Sequence, residues 1–351
     1  MIKVLNGLRG YAALFVVLAH LPQIGEYSLS HIFQKSLAFT RIAYISVDMF
    51  FILSGFLITR NLIKEKNKTG SISLVKFYNK RFLRIFPIYY ISILFVWIFI
   101  TSKDLGYVAT YLSNYFFAFH EYPHPLRHTW SLAVEEHFYI FWPAIILLIS
   151  DHFIKKYLAF VTIGIIGFSV IMLYNLFSIE EVTNLIEKST NTRMLSLIAG
   201  SILAYHEDKM RSISKTLPIL FVSLLAYSIA MLSRLVLDPG FLYTLILYIF
   251  SFLGCFLLFI YVLNLENKSG FANKIFVNKF IIYLGSISYG LYLYHYIIYY
   301  YFGITNVQLA LAGKTFVAPI QILLPFILSL IIPIVSFNLI EKPLLKLKNK
   351  L

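Results

Sequence analysis

Arg9 and His20 lie in one apolar stretch with ten residues between them. On a helix that interval is about 16 Å along the axis. Neither side chain can serve the other directly, but together they could serve two ends of one long ligand. Histidine is the usual general base. Arg9 is an anion ligand, or a cation that snorkels to lipid phosphate. Asp48 stands in Val47-Asp48-Met49-Phe50-Phe51-Ile52-Leu53-Ser54-Gly55-Phe56-Leu57-Ile58 and reads as the outer end of the second apolar segment. Arg81 and Arg84, at i and i+3, share a helical face. Two guanidinium forks there suit a phosphate or pyrophosphate, although an ordinary basic flank has the same appearance. His128-Thr129-Trp130-Ser131-Leu132-Ala133-Val134-Glu135-Glu136-His137-Phe138-Tyr139 carries two adjacent carboxylates entering an apolar segment. Glu135 and Glu136 point about 100° apart, and Glu135 shares a face with Ser131 and Tyr139. Ionisable groups in such segments are costly unless paired or hydrated, so they default to functional candidates. His295, among Tyr292, Tyr294, Tyr296 and Tyr299, reads instead as part of an interfacial aromatic belt. Glu341 reads as a solvated helix end.

The elements that must hold these groups are apolar runs at about 5–24, 44–59, 85–102, 131–150, 157–177, 192–206, 216–236, 241–263, 280–301 and 317–340. Most approach the ~20 residues that cross a bilayer. Stretch 107–119 is too short and reads as re-entrant or interfacial. Hydrophobic residues make up 59% of the 351 and charged residues 13%. That charged share is about half the soluble norm, so lipid is the solvent that fits. The fold class expected is all-α: a polytopic membrane bundle of about ten transmembrane helices, forming a single domain over 1–351.

With the N-terminus inside, 21 Lys and Arg fall on the cytoplasmic side and 8 outside, Arg193 and Lys188 among the latter. That bias places both termini in the cytoplasm. The net charge of +14 is then topology and anionic-lipid attraction, and no nucleic acid is expected. The single Cys255 allows neither a disulfide nor a cysteine-based metal site. Gly-x-Gly-x-x-Gly and Walker phosphate loops are absent.

Taken in order, these motifs resemble the acyltransferase-3 family of membrane-bound O-acyltransferases. The resemblance rests on Leu8-Arg9-Gly10 with His20, the Asp48–Ile58 run, Arg81-x-x-Arg84, and Thr129-Trp130-Ser131-Leu132-Ala133-Val134-Glu135-Glu136-His137-Phe138-Tyr139. It continues in Ser288-Tyr289-Gly290-Leu291-Tyr292-Leu293-Tyr294-His295 and Glu341-Lys342-Pro343. His137 stands where the family often has Gln. The resemblance implies transfer of an acyl group, usually acetyl, from cytoplasmic acyl-CoA to a hydroxyl, often of a surface-glycan sugar. It implies that His20 is the catalytic histidine and that Arg9, Arg81 and Arg84 are functional arginines. Many family members add an extracytoplasmic hydrolase-like domain, and none is expected here.

Acetyl-CoA is therefore the expected donor, with its phosphates on the three arginines and its thioester deep in the membrane; no metal is expected. His20 would act as general base, oriented by Glu135 or Asp48. Trp130 would stack on the sugar, with Ser131, Glu136 and His128 beside it. A covalent intermediate on Ser131 or His20 stays open. The expected partners are a glycan or glycolipid of O-antigen, capsule or exopolysaccharide type, membrane lipid, and a glycan-assembly partner or second copy. The expected place is the bacterial inner membrane. Two competing readings are a transporter or flippase of an anionic lipid or glycan and a non-catalytic glycan-assembly partner. No internal repeat supports the first, and the intact Arg and His set argues against the second.

Overall fold

Among the described residues, the ten apolar stretches lie mainly on helix and there is no strand. The structure, a computed structural model, describes residues 2–21, 38–213, 216–237, 240–266, 268–311 and 318–347. In chain order the helices are α1 (Lys3–His20), α2 (Ala38–Thr69), α3 (Leu74–Phe99), α4 (Leu105–Ala109), α5 (Ser113–Phe119) and α6 (Trp130–Leu148). They continue with α7 (Asp151–Leu176), α8 (Ile179–Lys188), α9 (Thr190–Tyr205), α10 (Glu207–Arg211), α11 (Leu217–Val236) and α12 (Phe241–Leu263). The last are α13 (Phe271–Phe276), α14 (Lys279–Ser286), α15 (Ser288–Leu311), α16 (Ala318–Ser336) and α17 (Lys342–Leu347).

Local sequence sets several of their starts. Ser73 and Ser150 cap α3 and α7, each accepting from the backbone N–H three residues on at 3.3 Å. Ser178 and Glu181 form a reciprocal capping box on α8, which satisfies otherwise orphaned donors. Asn278 accepts from the Phe280 and Ile281 amides at the head of α14.

Six of the described helices are long and apolar enough to cross a membrane. A seventh crossing arises if α14 and α15, bent by 73°, form one broken span. Length and composition thus support fewer crossings than the ten expected. α1 carries Lys3, Asn6, Arg9 and His20. α9 has 16 residues, about 24 Å, short of a ~30 Å hydrocarbon core. The apolar part of α11 is likewise short. Stretch 107–119 folds as the small helices α4 and α5, joined through Tyr111 at φ 57. The Tyr111 ring stacks on Tyr89 with centroids 4.5 Å apart, which offsets part of the cost of a left-handed residue.

Three helix pairs hold the centre. α1 packs on α2 and α14, and α2 packs on α9. A methyl group at Gly10 would overlap the Ile281 carbonyl oxygen, and one at Gly55 the Leu197 carbonyl oxygen. Small residues let these backbones meet. Polar links tie α2 to α9 and to α6: Thr59 donates to Ser201 at 2.9 Å, and the Trp142 indole N–H donates to Thr59 at 2.7 Å. α7 leaves Phe160, Ile163 and Phe168 exposed, an ordinary surface in lipid.

Candidate active site

Arg9 from α1 and Arg81 and Arg84 from α3 converge on one cavity of about 380 Å³, lined also by Ser54, Ser131, Glu135, Tyr139, Ser288, Tyr289 and Tyr292. None of the three guanidiniums forms an ion pair among the described residues. Arg81 lies 4.5 Å from the Tyr139 ring centroid and 5.5 Å from that of Phe77, which orients the fork without neutralising it. Arg60, at the same cavity, is already paired with Glu207 at 2.5 Å. Glu135 is the cavity's carboxylate, accepting from Ser54 at 2.8 Å and Tyr139 at 2.9 Å. Three cations facing one hydrogen-bonded carboxylate leave the cavity strongly cationic, a site for a polyanion.

At the Ser131 side of the cavity, Ser131 Oγ and Tyr292 OH lie 2.5 Å apart, and Tyr292 OH donates to the His128 carbonyl at 2.9 Å. Beyond this link is a cluster of imidazoles. His20, at the end of α1, has its ring centroid 5.1 Å from His295 and 5.3 Å from Tyr296. His128, in a 3₁₀ turn at Arg127–Thr129, lies 5.5 Å from His295 and stacks on Tyr296 at 5.1 Å. His20 Nδ1 meets the Val16 carbonyl at 2.8 Å. A carbonyl only accepts, so Nδ1 carries the proton and Nε2 keeps its lone pair. The three imidazoles are not arranged to share a metal ion.

The sequence-derived candidates thus separate into two groups. Arg9, Arg81, Arg84, Glu135 and Ser131 meet in the cavity, while His20 and His128 meet in the imidazole cluster. Neither Glu135 nor Asp48 is among His20's hydrogen-bond partners, and a backbone carbonyl holds the ring instead. Asp48 lies in the first turn of the apolar span that begins at Ile45 and is buried. It is ion-paired with Arg193 at 3.0 Å and accepts from Ser196 at 2.6 Å. Arg193, counted by charge among the outer residues, is a buried residue of α9. Lys188, assigned outside in the same way, is buried and donates to Glu121 at 2.8 Å.

Trp130 is buried against Phe51 with the Arg193 guanidinium 5.7 Å from its ring centroid. It does not line the cavity, so the expected sugar stacking has no open face there. Glu136 is buried and lies outside the cavity lining. Glu341, expected as a solvated end, is buried in a π-helical turn at Phe337–Glu341, a feature common at functional sites.

His295 is the residue that sequence reasoning set aside. It is fully buried and touches both other imidazoles. The only signal for it was its place in the Ser288–His295 motif.

A family model described as an acyltransferase domain matches residues 2–338. The chain belongs to the acyltransferase-3 family. Among curated relatives, the peptidoglycan O-acetyltransferase of Listeria monocytogenes is 28% identical, with 83% of this chain and 48% of the relative covered. A putative O-acetyltransferase of Staphylococcus aureus is 28% identical over 83% of this chain and 50% of its own. A putative peptidoglycan O-acetyltransferase of Bacillus subtilis is 27% identical over 97% and 54%. The chain therefore spans about half the length of these relatives. No solved structure matches.

Proposed function

We propose that this acyltransferase-3 membrane protein transfers acetyl from acetyl-CoA to a hydroxyl of a bacterial cell-wall glycan. The observation that carries the reading is a cavity with three arginines that form no direct ion pair among the described residues, joined through Ser131 and Tyr292 to the cluster that contains His20. Arg9, Arg81 and Arg84 hold the phosphates of the donor, and its thin arm carries the thioester past Ser131. The neutral His20 Nε2 takes the proton of the acceptor hydroxyl as that oxygen attacks the thioester carbonyl carbon. The carbon–sulfur bond then breaks, and the departing thiolate takes the proton from the imidazolium. The acetyl ester and free CoA thiol result, and His20 is restored. Glu135 acts in the cavity, holding Ser54 and Tyr139 and moderating the arginine charge.

The names of the relatives favour peptidoglycan over the O-antigen, capsule or exopolysaccharide acceptors suggested by motif alone. The cytoplasmic membrane, with the arginine end of the cavity inside, is the location that this donor requires. The test uses purified protein in detergent with radiolabelled acetyl-CoA and soluble peptidoglycan fragments. CoA release coupled to glycan acetylation is expected. Arg9→Ala should raise the KM for acetyl-CoA by about tenfold or more, and His20→Ala should abolish transfer. Absence of acyl-CoA-dependent CoA release overturns the reading and favours transport.

A further inference from the structure

His128 and His295 each have one ring nitrogen committed to the backbone and one left over. His128 Nε2 meets the Leu293 carbonyl at 3.0 Å, and His295 Nδ1 meets the Leu291 carbonyl at 3.1 Å. Each carbonyl can only accept, so each of those nitrogens donates. In the neutral ring, the opposite nitrogen then bears a lone pair. Those opposite nitrogens, His128 Nδ1 and His295 Nε2, are buried and have no hydrogen-bond partner. His20 has the same arrangement, with Nδ1 on Val16 and Nε2 free to accept. Three neighbouring imidazoles thus present acceptors, and two of these are sealed from water without a donor. Buried polar atoms are normally satisfied, and an exception calls for a ligand or a role.

We infer that His128 and His295 form the binding subsite for the acyl acceptor, a polyhydroxylated sugar whose O–H groups donate to these two nitrogens while His20 receives the reacting hydroxyl. This rests on the acyltransfer reading above and assigns the acceptor to a place separate from the arginine cavity. The chemistry is selective. Lone-pair nitrogens reject anions and carbonyl groups, and they reward neighbouring donors on one ligand. Tyr292 and Tyr296 pack on the imidazoles and hold their ring planes in place.

The test is steady-state kinetics of the purified full chain, with radiolabelled acetyl-CoA and fragments released by lysozyme from de-O-acetylated peptidoglycan. His295→Leu removes the acceptor nitrogen, whereas His295→Gln restores an acceptor oxygen. His295→Leu should raise the KM for the glycan by about tenfold or more and leave the KM for acetyl-CoA within about twofold. His295→Gln should recover most of the loss. A second measurement needs no variant: the methyl glycoside of N-acetylglucosamine should inhibit wild type competitively against the glycan. Its fully O-methylated form, which has no hydroxyl to donate, should be weaker by about tenfold or more. An unchanged glycan KM in His295→Leu, a parallel rise in both KM values, or equal inhibition by the two glycosides overturns the inference. Wild type that transfers nothing to the glycan overturns the underlying reading instead.

Discussion

The Arg193 guanidinium meets Asp48 and lies 4.8 Å from the Tyr248 ring centroid, with Phe51 and Trp130 within 5.7 Å. A cation and a carboxylate so placed hold each other in a site that would expel either alone. Arg193→Leu should therefore destabilise the protein by about 3–5 kcal/mol, because Asp48 is left buried and uncompensated. The Asp48→Asn/Arg193→Leu double variant should recover part of that loss. Unfolding in detergent, analysed as a double-mutant cycle, checks this; strictly additive losses would mean the pair is not coupled. At the loop between α5 and α6, Glu121 accepts from Lys188 at 2.8 Å and Arg127 at 2.7 Å. Burial by itself would raise the Glu121 carboxyl, but its hydrogen bonds and ion pairs with Lys188 and Arg127 outweigh that and hold it below the usual range. A depressed carboxylate stabilises the fold above its unfolded pKa and loses that contribution as pH falls through the folded value. The melting temperature of wild type should thus fall more steeply than that of Glu121→Gln as the medium is acidified below the carboxylate range. Parallel curves would assign the loop's acid sensitivity to other groups.

At the level of elements, stability turns on backbones that touch. Gly55 lets α2 lie against α9, and Gly55→Ala drives a methyl into the Leu197 carbonyl, at a cost of about 1–3 kcal/mol. Gly106→Ala, on α4, meets nothing within 4 Å and should be neutral or slightly stabilising. Melting temperatures of the two variants separate a packing effect from a general loss of glycine. These helix faces also mark the boundary of what sequence discloses. Spacing along one helix placed Arg81 and Arg84 together and gave Glu135 the same face as Ser131 and Tyr139, and the structure puts all five in one cavity. It gave no sign that Asp48 would meet Ser196, 148 residues on, in preference to His20. Positions within a helix follow from its period, whereas pairings between helices follow from packing that a single period does not encode. Loop-charge counting gave no sign that Arg193 and Lys188 would be buried, for a related reason: it treats segment ends as solvated, and here helices cover them. His295 was obscured by its tyrosine neighbours, of which Tyr292, Tyr296 and Tyr299 pack on the imidazole.

The molecule as a whole joins two chemically distinct regions, one cationic and one rich in lone pairs, through Ser131 and Tyr292. Tyr292 bonds to Ser131 in the cavity wall and to the His128 backbone in the imidazole cluster. Tyr292→Phe keeps the ring but breaks both bonds. It should lower kcat by about tenfold with little change in the KM for acetyl-CoA, because the arginines are untouched. A rise in that KM with kcat preserved would show instead that Tyr292 serves donor binding. α1 runs through both regions, contributing Arg9 to one and His20 to the other. Gly7 and Gly10 seat it directly on the α13 and α14 backbones, so it cannot slide or stretch. The helix is therefore a fixed gauge: under the proposed reaction, a donor qualifies only when its anionic end and its activated carbonyl are about 16 Å apart. Acetyl phosphate, an equally energised acetyl source with charge and carbonyl side by side, is too short to reach both marks and should not support turnover.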